Sequence, residues 1–90
     1  MAKVKLTSAL KRFFPTLSEL DVKVSDIRDV LVVLEKKYPG ISNYLVDDAG
    51  SLRQHVNIFV GGELIKDRTT LTDRLIDQDE VFIFQALSGG

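Results

Sequence analysis

The sequence of 90 residues contains no cysteine and only one histidine, His55. The absence of cysteine excludes disulfides, thiolate nucleophiles and cysteine-based metal sites. No nucleophile–base pair or metal-ligand cluster can be recognised in the sequence either, and His55 is expected to be an ordinary surface residue. The sequence therefore predicts neither an independent enzyme nor a metal site.

Long apolar runs are also missing. The longest, VLVVL at Val30–Leu34, is too short to span a bilayer, and the opening MAKVKL lacks the apolar stretch of a signal peptide. These two observations lead us to expect a cytoplasmic protein with no membrane partner.

An excess of one charge sign is absent too. The chain has 12 basic and 13 acidic residues, well mixed, for a formal net charge of −1 at pH 7. A nucleic-acid-binding domain usually carries a basic stripe or tail, so nucleic acid is not expected as a partner. Hydrophobic residues at 44% and charged residues at 28% are ordinary for a folded domain of this size with one core.

Alternating polar and apolar residues predict an opening pair of strands. The stretches KVKLT (Lys3–Thr7) and ELDVKVS (Glu19–Ser25) both alternate with a period of two, which is typical of half-buried strands. The segment between them (Ser8–Ser18) breaks the period and is expected to be a loop. In that loop, Phe13 and Phe14 are expected to form a flap over the core.

A change of period marks one helix. Apolar residues recur at the spacing of a helical stripe: Ile27, Val30, Leu31 and Leu34. Ser25 stands where an N-cap belongs, and YPG at Tyr38–Gly40 ends the helix.

The second half of the chain returns to strands. HVNIFV (His55–Val60) and EVFIFQA (Glu80–Ala86) are predicted strands, and Gly61–Gly62 predicts a tight hairpin turn. Thr69–Leu75 is expected to form one helical turn. The fold class predicted from this order is α+β, with a mixed four- to five-stranded sheet and one main helix packed on one face.

The order of elements is similar to that of the ubiquitin-like β-grasp fold. The sequence resembles the small sulfur carriers of the MoaD/ThiS-like family, which includes the molybdopterin synthase small subunit and the thiamine sulfur carrier. The segments that carry the resemblance are GIS (Gly40–Ser42), LRQHVNIFVGGE (Leu52–Glu63), LTDRLIDQDEV (Leu71–Val81) and the closing Gly89–Gly90. Two departures are visible: Gln78 replaces the usual glycine of an acidic turn, and the tail reads QALS where relatives often carry a proline.

The resemblance implies a single domain over residues 1–90 with a flexible tail at 86–90. It also implies that an E1-like adenylating enzyme, using ATP and Mg²⁺, adenylates the carboxylate of Gly90. Sulfur then replaces AMP, and the resulting thiocarboxylate serves as the sulfide donor for a biosynthetic enzyme. The chain would bind no cofactor itself, although it could be the small subunit of a synthase. Gly89 would guide Gly90, and Leu87 and Ser88 would bind the partner.

The residue types at the end of the chain suit that chemistry. A free carboxylate is ionised at neutral pH and is a poor electrophile, so it needs activation in a partner's pocket. Glycines remove the Cβ atoms that would collide with a narrow channel. Six extended residues from Gln85 to Gly90 span at most about 20 Å. A frayed end or an expression scar is the alternative explanation for two closing glycines.

Strand parity also predicts an exposed apolar surface. Asn57, Phe59, Phe82 and Phe84 are expected on the face of the sheet away from the helix. Contiguous exposed phenylalanines are typical of a partner-binding site. The alternative is that the loop at 8–18 folds back and buries them.

Several functional alternatives remain open at this point. A ubiquitin-like modifier, joined to lysines through Gly90, would share the fold, the tail and the activation step. A non-catalytic interaction module is a third possibility. The sulfur could be destined for molybdopterin, thiamine, cysteine or a siderophore-type product. A zinc-dependent isopeptidase-like protease would be a further partner if residues beyond Gly90 are encoded and removed.

Overall fold

One helix lies across a five-stranded sheet in the computed structural model, which describes residues 1–76 and 79–85. The strands are β1 (Ala2–Leu6), β2 (Leu20–Val22), β3 (Val56–Val60), β4 (Glu63–Leu64) and β5 (Glu80–Gln85). The helices are α1 (Ile27–Lys37), the short α2 (Ser42–Leu45) and a 3₁₀ helix (Ser8–Arg12). The predicted α+β class and order of elements are confirmed. The 3₁₀ helix stands in the segment for which the sequence predicts a loop.

The last described strand occupies the centre of the sheet. The strand order is β2-β1-β5-β3-β4, in which β5 pairs parallel to β1 and antiparallel to β3. The predicted opening strands β1 and β2 pair with each other in the antiparallel direction. β5 therefore has a neighbour on each side up to Ile83, and its last two residues pair with β3 alone.

The core lies between the sheet and α1. Alternation along the strands and the helical stripe of α1 direct their apolar side chains toward each other, as the sequence predicts. Fully buried side chains are Val4, Val56, Ile58, Val81 and Ile83 from the sheet and Ile27, Val30 and Leu34 from α1. This packing leaves the opposite face of the sheet without a covering helix among the described residues.

The N-cap of α1 differs from the prediction. Asp26, not Ser25, is the cap, and its Oδ1 accepts a hydrogen bond from the backbone N–H of Asp29 at 2.9 Å. The backbone carbonyl of Ser25 instead accepts a hydrogen bond from the N–H of Leu75 at 2.8 Å. Serine and aspartate are both suitable N-cap residues. The hydrogen bond between Ser25 and Leu75 places Asp26, rather than Ser25, at the start of the helix.

The end of α1 is fixed by a carboxylate. Glu35 accepts hydrogen bonds from the backbone N–H of Gly40 at 2.7 Å and of Ser42 at 3.0 Å. These bonds, that of Gly40 first, hold the pKa of Glu35 below its ordinary value. Gly40 has φ +96°, a left-handed conformation that favours glycine and allows the sharp exit from the helix.

The aromatic residues of the first loop pack on the helix side. The ring of Phe13 stacks on Tyr44 with centroids 4.7 Å apart, and Phe14 meets Tyr38 and Tyr44 edge-on. Phe14 packs against the core, whereas Phe13 remains exposed. The phenylalanine that covers part of the core, as expected, is therefore Phe14, and the same segment also buries Leu10 and Leu17.

The predicted helical turn at Thr69–Leu75 is wrong, because carboxylates organise this segment as a loop. Asp67 accepts hydrogen bonds from the hydroxyl and backbone N–H groups of Thr70 and Thr72. The bonds from the Thr70 and Thr72 hydroxyls lower the pKa of Asp67 far below its usual range. Side-chain acceptors of this kind compete with helical hydrogen bonds for the same N–H groups.

The same loop supports the start of α1. The carbonyl of Leu71 accepts from the N–H of Arg28 at 3.0 Å, and that of Asp73 accepts from Ile27 at 3.1 Å. Leu71 is buried with φ +59°, a left-handed conformation that is rare for leucine. The loop thus satisfies helix N–H groups that have no partner within α1 itself.

The remaining local predictions divide into two groups. The hairpin turn at Gly61–Gly62 is confirmed, with φ +57° and +86° as a type I′ turn requires. The flexible tail predicted at 86–90, the last predicted strand residue Ala86 and the turn around Gln78 lie outside the described residues.

Candidate functional site

The strand β5 leads to the predicted reactive end of the chain. Leu87, Ser88, Gly89 and Gly90 lie outside the described residues. β5 ends at Gln85, two residues before Leu87. The parts of the candidate site that lie within the described residues are β5, its outward side chains and its last residue.

Two phenylalanines on the outer face of β5 are exposed. The burial pattern of β5 alternates strictly, which directs Phe82 and Phe84 away from α1. Their rings stack with centroids 6.3 Å apart and an interplanar angle of 24°. Phe82 is 38% exposed and Phe84 is 42% exposed, so substantial apolar area faces outward.

Phe59 and Asn57 on β3 complete this surface. Phe59 lies directly opposite Phe82, and Asn57 lies opposite Phe84. Phe59 is only half-buried rather than exposed, because Phe82 flanks it on one side and Leu64 of β4 on the other. We name Phe59, Phe82 and Phe84 the aromatic patch; two of its three rings carry most of its exposed area.

The first loop borders the aromatic patch without covering it. A cleft of about 400 Å³ lies between Phe82 and loop residues that include Lys11 and Leu17. The phenylalanines of that loop pack on the tyrosines of the helix side instead. The alternative in which this loop buries the patch is thus not what the structure shows.

Charged side chains stand at one border of the patch. Lys5, which is paired with Phe82 across the strands, has its Nζ 3.6 Å from Glu80 and 4.0 Å from Glu19. Exposed ion pairs of this kind contribute little to stability. An apolar centre with a charged border is the usual anatomy of a protein–protein interface.

Gln85 is a buried polar residue at the end of β5. It is only 5% exposed, and its Nε2 donates a hydrogen bond to the backbone carbonyl of Tyr44 in α2 at 3.3 Å. The same Nε2 lies 3.4 Å from Nε2 of His55, while its backbone N–H donates to Oγ1 of Thr7 at 3.3 Å. Its Oε1 has no hydrogen-bond partner among the described residues.

The sequence predicts no role for the side chain of Gln85. The signal that could have identified it is strand parity, since Gln85 follows Val81 and Ile83 on the inward side of β5. His55, expected at the surface, is indeed exposed, although it also approaches the amide of Gln85.

A second concavity lies on the helix layer. It has a volume of about 530 Å³ and is lined by α1 residues such as Arg28 and Val32 and by the loops around Gly50 and Thr70. No described contact connects it with β5 or the aromatic patch.

Neither a metal site nor a membrane span is found in residues 1–76 and 79–85. Within these ranges, no group of three or more histidine or acidic residues is placed to hold a metal ion. None of the helices found there is long and apolar enough to cross a membrane.

Known proteins resemble this chain over most of its length. The model of the ThiS family matches residues 6–90. Small archaeal modifier protein 3 of Haloferax volcanii is 32% identical over 88 residues, covering 88% of this chain and 95% of that protein. Sulfur carrier protein CysO of Mycobacterium tuberculosis is 38% identical over 63 residues, covering 68% of each chain.

The fold is also found in solved structures. The crystal structure of the BexX/CysO complex of Amycolatopsis orientalis contains a chain that matches with a TM-score of 0.83 and 20% identity, over 100% of both chains. The expectation of a ubiquitin-like β-grasp fold is thereby confirmed. The names of these similar proteins describe carriers and modifiers, one of them in a complex with another protein.

Proposed function

The chain belongs to the ThiS family, and from that membership we propose that it is a sulfur carrier whose Gly90 carboxylate is converted to a thiocarboxylate. At the coarser level it is a ubiquitin-like carrier or modifier protein rather than an enzyme, and its partners are proteins. The observation that carries the finer proposal is the family match, which extends to Gly90. In addition, one of the similar proteins is named as a sulfur carrier.

The proposed chemistry proceeds in two steps. An oxygen of the Gly90 carboxylate attacks the α-phosphorus of ATP in an E1-like enzyme, pyrophosphate leaves, and an acyl adenylate forms. A sulfide-level donor then attacks the acyl carbon, AMP leaves with the former carboxylate oxygen, and a thiocarboxylate remains. Adenylation is needed because a carboxylate oxygen is a poor leaving group, and the Mg²⁺ and ATP belong to the activating enzyme.

The sheet supports this proposal through the placement of β5. The strand that leads to Gly90 is the one that carries Phe82 and Phe84, so a partner that binds the aromatic patch lies beside the start of the tail. From Gln85, an extended chain of six residues reaches at most about 20 Å, far enough to enter a channel in a docked enzyme. Leu87 and Ser88 would contact the walls of that channel. Gly89 would fit its narrowest part because glycine has no Cβ.

The remaining partners follow from the same chemistry. A biosynthetic enzyme accepts the sulfur, and a zinc-dependent isopeptidase-like protease acts first if residues beyond Gly90 are encoded. Because activation consumes ATP, the proposed location is the cytoplasm.

Intact-protein mass spectrometry tests the proposal directly. Incubation with ATP, Mg²⁺, a sulfide donor and an E1-like enzyme should add about 16 Da, since one oxygen is replaced by sulfur. Omission of ATP is the first control, and Gly90→Leu is the matched variant, which should load poorly because its Cβ obstructs the channel. Undiminished loading of Gly90→Leu, or no gain of mass by the wild type, contradicts the proposal.

A protein modifier is the second candidate, favoured by the similarity to small archaeal modifier protein 3. In this function the activated Gly90 forms an isopeptide bond with a lysine of a target protein. Conjugates heavier than their targets by about the mass of this chain, 10.1 kDa, would support it. A protein that remains unchanged under all these conditions would instead be an interaction module.

A further inference from the structure

The last residue of β5 is held by three separate parts of the fold. Gln85 pairs with Val56 of β3, its backbone N–H donates to the Thr7 hydroxyl beyond the end of β1, and its side chain donates to the Tyr44 carbonyl in α2. The parallel pairing with β1 has already ended at Ile83. Gln85 is thus the final position on β5 at which the sheet and the helix layer both hold the chain.

Core packing alone does not explain a glutamine at this position. The side chain is 5% exposed, and its Oε1 lacks a hydrogen-bond partner among the described residues. A buried carbonyl without a partner lowers stability, and an apolar side chain of equal length would avoid that loss. What the amide provides, and an apolar side chain cannot, is the directed bond to Tyr44.

We propose that Gln85 is a positioning residue for the tail: its side-chain bond to the Tyr44 carbonyl and its backbone bond to the Thr7 hydroxyl together fix the point and direction from which the chain leaves the sheet toward the activating enzyme. This inference rests on the proposed function. Gln85 itself touches no reacting atom, so it acts on how well the carrier is bound and not on the chemical step.

The expected effect follows from chain entropy. If Gln85 is no longer held by these bonds, at least one more residue must be ordered when the tail enters the enzyme. Ordering one backbone residue weakens binding by a factor of about 5 to 30. The KM for the carrier should rise by that factor, and kcat should change less than about twofold because the bound complex is the same.

The test compares Gln85→Met with the wild type in carrier-dependent pyrophosphate release by the E1-like enzyme, alongside thermal unfolding. Methionine keeps the length of the side chain and removes both the donor and the carbonyl. We expect a raised KM, an unchanged kcat and a Tm that does not fall. Gln54→Met is the matched control, since it makes the same chemical change at an exposed position and should leave KM unaltered.

A second variant covers the case in which Gln85→Met lowers Tm. Thr7→Val removes the hydroxyl that receives the Gln85 N–H without changing the buried amide, and it should raise KM in the same way. An unchanged KM in Gln85→Met overturns the inference, as does an unchanged KM in Thr7→Val if the first variant is destabilised. If the wild type releases no pyrophosphate and gains no sulfur, the proposed function itself fails. If the wild type loads sulfur and the variant has the same KM, only the role of Gln85 is refuted.

Discussion

Truncation of Phe82 tests whether the aromatic patch binds the activating enzyme. Phe82 is 38% exposed, and a phenylalanine buries about 200 Å² when fully covered, so about 75 Å² remains for a partner to cover. At about 25 cal/mol per Å², covering that area contributes about 2 kcal/mol. Phe82→Ala should therefore raise the Kd for the E1-like enzyme by about 30-fold.

The stability of the variant can be estimated separately. Phe82 lies directly opposite Phe59 across the strands, and a cross-strand aromatic pair contributes up to about 1 kcal/mol. For a domain of this size, that corresponds to a fall in Tm of about 4–8 °C. Phe59→Ala should lower Tm further, because Phe59 is more buried, which makes Phe82 the better probe of binding.

Isothermal titration calorimetry and thermal unfolding should be measured on the same preparations. Val32→Ala is the control, because Val32 is an apolar side chain that is 50% exposed on α1, in the opposite layer. An unchanged Kd for Phe82→Ala together with a lowered Tm would make the patch a purely structural feature. Equal loss of affinity in Val32→Ala would move the docking surface to the helix layer.

Three further predictions concern local structure. Asp26→Ala should lower the free energy of unfolding in urea by about 1 kcal/mol, whereas Ser25→Ala should change it little, because only Asp26 caps the helix with its side chain. Gly62→Ala should destabilise the hairpin by about 1 kcal/mol through its φ of +86° alone, since no atom lies within 4 Å of the added Cβ; unchanged sulfur loading is the accompanying check. Asp67→Asn should lower Tm at pH 7, and the difference in Tm from the wild type should narrow below about pH 4. A carboxylate whose pKa is depressed in the folded state stabilises the fold above its unfolded pKa and loses that effect on acidification. A gap that stays constant down to pH 2 would contradict the assignment of these hydrogen bonds.

Periodicity is sufficient to predict most of the fold. Strand side chains alternate with a period of two, so β3 and β5 are located to within one residue and their inward faces are assigned correctly. The loop around Asp67 cannot be found in this way. Its conformation depends on carboxylate hydrogen bonds and on Leu71 at φ +59°, neither of which leaves a periodic signal.

The candidate site is predictable to a smaller extent. Parity alone places Phe82 and Phe84 on the outer face, but the partial burial of Phe59 depends on its neighbours in two other strands. The buried position of Gln85 is not predicted by its polarity, because a polar residue at the end of an apolar strand is ordinarily expected to face water. The roles proposed for Gly89 and Gly90 rest on family membership, since periodicity carries no information about a chain terminus.

The central position of β5 has a consequence for synthesis of the protein. Among the described residues, the first and second halves of the sheet pair with each other only through this strand, which is translated after all the others. A nascent chain can therefore form the β1–β2 and β3–β4 pairs separately, but it cannot join them until Gln85 has left the ribosomal exit tunnel. A product that terminates before Glu80 would lack the central strand, and its two pairs of strands would keep open edges and be exposed to proteolysis. The complete sheet is therefore restricted to chains that already contain the strand leading to the tail.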